Sequence, residues 1–97
     1  MEIEVEFSTS AENALSSIAF WFEGQNTIGG GERFLKNFEG KINRLKKSHP
    51  FFSPCGNKIL KSKGLFCSKY RQWILAFETS PEKIIIWAIF HKRFLPQ

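Results

Sequence analysis

From residue 2 to residue 7 the chain alternates strictly, with Ile3, Val5 and Phe7 set against Glu2, Glu4 and Glu6. A period of two marks a strand with one buried and one wet face. Thr9 is then followed three residues later by Glu12. That is capping-box spacing and predicts a helix start. Ala11, Ala14, Leu15, Ile18, Trp21 and Phe22 recur at steps of three and four and form one apolar stripe, which Gly24 ends. The glycines of residues 27–31 read as a flexible turn. A phosphate-cradling loop needs Gly-Lys-Ser or Gly-Lys-Thr opening a helix after a strand, whereas these glycines follow a helix and precede Glu32. A second helix is predicted over residues 32–47, with Phe34, Leu35, Phe38, Ile42 and Leu45 as its stripe. Arg44, Lys46 and Lys47 suit its negative C-terminal end, and Pro50 prevents continuation.

The pattern then becomes strand-like. Pro54 and Gly56 punctuate a loop, and Lys58, Lys61 and Lys63 mark a short basic strand over residues 58–63. Residues 70–79 alternate Trp73, Leu75 and Phe77 against Ile74 and Ala76, as a strand covered on both faces would. Ser80-Pro81-Glu82 is a turn, and the Ile-rich residues 83–90 suit the middle of a sheet. The order β-α-α-β-β-β, without an internal repeat, predicts an α+β fold in which a helical hairpin packs on a mainly antiparallel four-stranded sheet. Ninety-seven residues allow a single domain, 1–97, and 42% apolar composition is enough to fill its core without a metal or disulfide.

Charge is uneven. The first 24 residues carry five Glu and no base, whereas the remainder holds all 14 Lys and Arg against four Glu. One surface is therefore expected to meet a polyanion, either a nucleic acid or an acidic protein. The longest apolar run, residues 84–90, is far short of the roughly 20 residues needed to span a bilayer, and the acidic N-terminus does not read as a signal peptide. A cytoplasmic location without membrane association follows as the expectation. Cys55 and Cys67 lie in no CxxC pair and beside no His at metal-ligand spacing. They read as two reduced thiols rather than a disulfide, and no metal or cofactor is expected.

Candidate chemistry is sparse. Asp is absent and no Glu flanks His49 or His91, so a Ser-His-Asp triad has no members. The four downstream carboxylates are too scattered for a paired-carboxylate hydrolase or a magnesium site. What remains is a cationic set: Lys58, Lys61 and Lys63, then Lys69 and Arg71, then His91, Lys92 and Arg93, interleaved with Phe66 and Tyr70. Basic groups position phosphates and aromatics stack bases, so this set suits RNA binding, although an ordinary solvated basic face has the same composition.

Three stretches resemble the RelE/ParE superfamily of bacterial type II toxin–antitoxin toxins. Phe7-Ser8-Thr9-Ser10-Ala11 followed by Leu15, Ile18 and Trp21 is similar to the family's first strand and helix. Lys41-Ile42-Asn43-Arg44-Leu45 with Pro50 is similar to the end of its second helix. Trp73-Ile74-Leu75-Ala76-Phe77, a turn, and residues 84–90 followed by His91, Lys92, Arg93 and Pro96 resemble its last hairpin and basic ending. The resemblance implies a growth-inhibiting toxin of plasmid-stabilisation type, bound by a cognate antitoxin in a hetero-oligomer. ParE-like members poison DNA gyrase by binding. RelE-like members are ribosome-dependent mRNA endonucleases, and by position Arg71 would hold the phosphate, Lys58 or Lys61 would act as cation or base, and His91 as acid. Lys63, Lys69, Tyr70, Lys92 and Arg93 would then contact nucleic acid or target. No carboxylate lies between Gly40 and Phe77, Ala88 stands where several nucleases carry Arg, and Tyr70 is the only Tyr. These departures favour the ParE-like branch, with the nuclease and a non-toxic nucleic-acid-binding module as alternatives.

Overall fold

The computed structural model describes residues 3–25 and 28–94; Glu2, Thr27 and Pro96, which entered the sequence reading, lie outside the described residues. Strand β1 (Glu4–Phe7) leads into helix α1 (Thr9–Glu23), which is followed by α2 (Gly30–Ser48) and a short α3 (Lys58–Ser62). Strands β2 (Phe66–Tyr70), β3 (Trp73–Thr79) and β4 (Lys83–His91) follow, and a 3-10 turn spans Lys92–Phe94. The sheet order is β1-β4-β3-β2. Two of its three pairings are antiparallel, and β1 joins β4 in parallel with Val5 opposite Ile84 and Phe7 opposite Ile86. The expected α+β fold is therefore present. Among the described residues, no helix is long and apolar enough to cross a membrane.

The apolar face of the sheet meets the helical hairpin. Leu75 and Phe77 from β3 and Ile84, Ile86 and Ile89 from β4 pack with Ala11 and Ile18 of α1 and with Phe34, Phe38, Ile42 and Leu45 of α2. The spacing of the buried Ile residues slips by one along β4 because Phe77 pairs with Ile86 while Ala76 pairs with Ala88. Trp87 is the extra residue of this bulge, and its indole N–H donates to Glu78 Oε1 at 2.9 Å. The Trp87 carbonyl accepts the Ser8 hydroxyl at 2.7 Å, and Ser8 Oγ in turn accepts the Ala11 N–H at 3.0 Å. Ser8, in extended backbone, is therefore the N-cap of α1. The capping-box reading placed the cap one residue late, at Thr9.

Other boundaries also differ. Trp21 and Leu35 fall outside the buried stripes and are exposed. Residues 58–63 are not a strand. The Asn57 side-chain oxygen accepts the N–H groups of Ile59 and Leu60 at 3.0 and 3.1 Å, capping a helix whose buried residue is Leu60, with Lys63 at its C-cap. Of the predicted strand over 70–79, Trp73–Thr79 forms β3; the chain turns at Arg71-Gln72, and the strand before that turn, β2, was missed. The two thiols are instead a disulfide. Pro54 bridges to Phe66, with Cys55 N–H bonding the Leu65 carbonyl and Cys67 N–H the Ser53 carbonyl. This alignment brings the Cys55 and Cys67 Cα atoms to 4.6 Å across a separation of 12 residues. Strand pairing, which spacing alone does not reveal, makes the bond possible.

The glycine turn has a definite job. Gly29, at φ 76°, reverses the chain, and α2 begins at Gly30. Gly31 then packs so closely on α1 that a Cβ would lie 2.5 Å from the Ala19 carbonyl oxygen, and its N–H donates to Glu23 Oε1 at 3.1 Å. Gly31→Ala should therefore lower unfolding free energy by about 1–3 kcal/mol through overpacking. Gly56→Ala, with no atom within 4 Å of the added Cβ, should leave it within about 0.5 kcal/mol in the same urea titration.

Candidate anion-binding groove

Helix α2 presents Arg33, Asn37, Lys41, Arg44 and Ser48 at steps of four, four, three and four, along the flank beside its buried Phe34, Phe38 and Leu45. The β2–β3 hairpin faces this flank with Lys69 and Arg71. Three adjoining cavities follow the boundary. One of about 170 Å³ lies between Phe22, Gly30, Arg33, Phe34, Asn37 and Arg71. The next, about 490 Å³, shares Asn37 and Arg71 and adds Lys41, Arg44, Lys69 and Tyr70. The third, about 380 Å³, shares Lys41 and Arg44 and ends at Ser48, Phe51, Phe52, Ser53 and Ser68. Shared walls make them one groove, which follows α2 for about 27 Å at 1.5 Å per residue.

The sequence explains the walls. Tyr70 is buried, its ring centroid 6.2 Å from that of Phe34 and 5.9 Å from that of Phe38. This packing fixes the hairpin against α2. The Tyr70 ring is thus a core element and does not offer a free face for base stacking. The Arg71 guanidinium lies 5.7 Å from its centroid. Arg71 takes φ 58° in the turn, a left-handed backbone that costs a residue with a Cβ about 1 kcal/mol.

Five cations line the groove, yet the salt bridge found among the described residues, Lys83 to Glu6 at 3.4 Å, lies at the opposite, β1 side of the sheet. Burial holds the Lys41 ammonium below its ordinary pKa of 10.5, and the neighbouring Arg44 charge lowers it further.

Of the expected site residues, Arg71 and Lys69 line the groove. His91 lies across the hairpin, opposite Trp73 in the β3–β4 register, with the two rings edge to face at 5.3 Å. Its Nδ1 accepts the Arg93 N–H at 3.1 Å, which places a neutral ring's proton on Nε2. The Lys92 N–H donates to the Gln72 carbonyl at 2.9 Å and ties this end of β4 to the Arg71 turn. Lys58 and Lys61 on α3, and Lys63 at its cap, are exposed and do not line the groove, and Lys92 and Arg93 stand exposed on the 3-10 turn. The sequence reading overlooked Arg33, Asn37 and Lys41 as site candidates and assigned Arg44 only to the helix end. Their helical spacing was visible, but their facing partner, the hairpin, was not. Among the described residues, no cluster of His, Cys and Glu could hold a metal.

No family model matches the chain, and no curated protein matches it in sequence. Solved structures do. One chain, from the "Chromosomal ParDE TA system from P. aeruginosa", superposes with a TM-score of 0.64, covering 93% of this chain and 96% of its own at 14% identity. The chain has a ParDE-like fold. At that identity the likeness is one of architecture.

Relieving the local repulsion should show at Lys41. Arg44→Gln should move its ammonium titration upward toward 10.5, read by NMR of the labelled lysine. In the parent, the unfolded chain holds the Lys41 proton over the interval between the lowered pKa and 10.5, so stability rises with pH across that window; the variant should show a smaller rise.

Proposed function

We propose that this chain is the toxin component of a type II toxin–antitoxin system, neutralised by a cognate antitoxin in a hetero-oligomer and acting by ParE-like binding to DNA gyrase. The observation that carries the reading is the likeness to a ParDE chain over nearly the whole of both chains. A surface suited to a protein target accompanies it. Phe20, Trp21 and Ile28 at the tip of the helical hairpin are 82%, 53% and 96% exposed. Such apolar exposure marks an interaction site more often than an inert surface. The groove's middle section offers cations and the Asn37 amide, with neither a carboxylate nor a His to move protons.

Expression of the chain alone should arrest growth and leave trapped gyrase–DNA complexes, with co-expression of the cognate antitoxin relieving both effects. Phe20→Ala with Trp21→Ala should abolish the arrest while leaving the thermal melt unchanged. Unimpaired growth on expression of the parent chain would overturn the proposal.

One observation favours a second reading, a RelE-like ribosome-dependent endonuclease. The backbone bond from Lys92 to Gln72 draws the His91 end of β4 to the turn that carries Arg71. That reading predicts codon-positioned mRNA cuts on translating ribosomes, lost in both His91→Ala and Arg71→Ala. Intact mRNA in the parent reaction would eliminate it.

A further inference from the structure

We propose that the groove between α2 and the β2 edge binds single-stranded nucleic acid, with the phosphodiester backbone along α2 and an unpaired base stacked on Phe51. This goes beyond the gyrase-binding reading, which requires only protein partners, and places the strand on α2 and Phe51, which the nuclease reading does not use.

Three features carry it. The first is spacing: Arg33, Asn37 and Lys41 are separated by four residues each, about 6 Å along the axis, with Arg44 one turn beyond. This is the scale of the phosphate repeat in an extended strand, and Lys69 and Arg71 double the row from the facing wall. The second is uncompensated charge, since none of the five cations forms a salt bridge within the described residues. A polyanion would supply the counter-charges that the fold withholds. The third is the aromatic at the groove's end. The Phe51 side chain is 86% exposed beside Ser48 and Ser53, whose hydroxyls can bond a sugar or phosphate. An exposed ring next to a cationic track is the pairing that single-strand binders use, because every base has a stacking face. A duplex would hide those faces. An acidic peptide is a poorer match, because its affinity would require apolar anchors, and the middle section, lined by Asn37, Lys41, Arg44, Lys69, Tyr70 and Arg71, has as its one apolar surface a Tyr70 ring already packed on Phe34 and Phe38.

Fluorescence anisotropy with labelled oligouridylate and oligodeoxythymidylate of about 12 nucleotides tests the proposal, with a duplex and oligoglutamate as comparisons. Five phosphate contacts predict a slope of log K against log salt near −3.5, or about a hundredfold loss from roughly 50 to 200 mM. Lys41→Gln with Arg44→Gln should flatten the slope by about 1.4. Phe51→Ala should weaken binding about tenfold with little change of slope. Lys46→Gln with Lys47→Gln, which lie on α2 but line none of the three cavities, should leave the slope near that of the parent. Tighter binding of the ribo or the deoxy strand supports the proposal and identifies the sugar. It is overturned if duplex or oligoglutamate binds as well as the single strands, if Phe51→Ala has no effect, or if the Lys46 and Lys47 changes match those at Lys41 and Arg44. None of these readouts depends on toxicity, so the inference and the toxin reading fail separately.

Discussion

The helix side of the sheet depends on the place where β4 shifts its faces. Uninterrupted alternation after Ile86 would turn Ile89 and His91 away from the helices and bring Ala88 and Phe90 inward, because a one-residue slip exchanges the two faces of a strand. The extra residue, Trp87, prevents this by sitting out of register between the Phe77–Ile86 and Ala76–Ala88 pairs. A bulge leaves a backbone group without its ladder partner. Here the Trp87 carbonyl takes the Ser8 hydroxyl, whose oxygen also caps α1 through the Ala11 N–H. One side chain thus couples the sheet register to the start of α1. The contact at Gly31 then couples α1 to α2, and α2 is one wall of the groove.

The groove is where the fold gives up stability. Its cations are gathered without neighbouring carboxylates, Lys41 is partly desolvated beside Arg44, and Arg71 occupies a left-handed backbone position. Each is unfavourable alone. They persist because Tyr70, packed on Phe34 and Phe38, fixes the hairpin against the helix from below. The aromatic core and the charged rim are therefore one construction. Local strain over-determined by surrounding packing is characteristic of binding sites, and this combination gives the groove its claim over the exposed lysines of α3.

What could be read in advance was what repeats locally. The alternation in β1, the stripes of α1 and α2 and the Ile-rich centre of β4 each encode burial at a fixed period, and from them the α+β architecture follows. Features set by contacts between distant segments could not be read this way. The disulfide depends on residues 53–55 lying along β2, and the split between β2 and β3 on a tight turn at an Arg rather than a Gly. Lys58 to Ser62 looked extended because the lysines dominated the pattern, while the decisive residue was the Asn57 cap. Site prediction failed in the same manner. Cations adjacent in sequence were grouped together, whereas the groove joins Arg33, Lys41 and Arg44 of α2 to Lys69 and Arg71, 25 or more residues further along the chain.

The charge asymmetry of the sequence acquires a direction from the sheet order. Strand β1, with exposed Glu4 and Glu6, and strand β2, which bears Lys69 and leads into Arg71, occupy opposite edges. The disulfide-tethered segment that carries Lys58, Lys61 and Lys63 leaves from and returns to the β2 edge, so its charge adds to the same side. Separation of this kind orients an approaching polyanion before any contact forms, and the attraction weakens as salt shortens its range. The hydrophobic tip at Phe20, Trp21 and Ile28 has no such long-range reach. It gains energy only at contact, through burial of apolar surface. The two surfaces thus suit partners of different chemistry, one steered by charge and one held by apolar burial. If the groove takes a nucleic-acid strand as proposed, the domain engages it and a protein partner through separate faces.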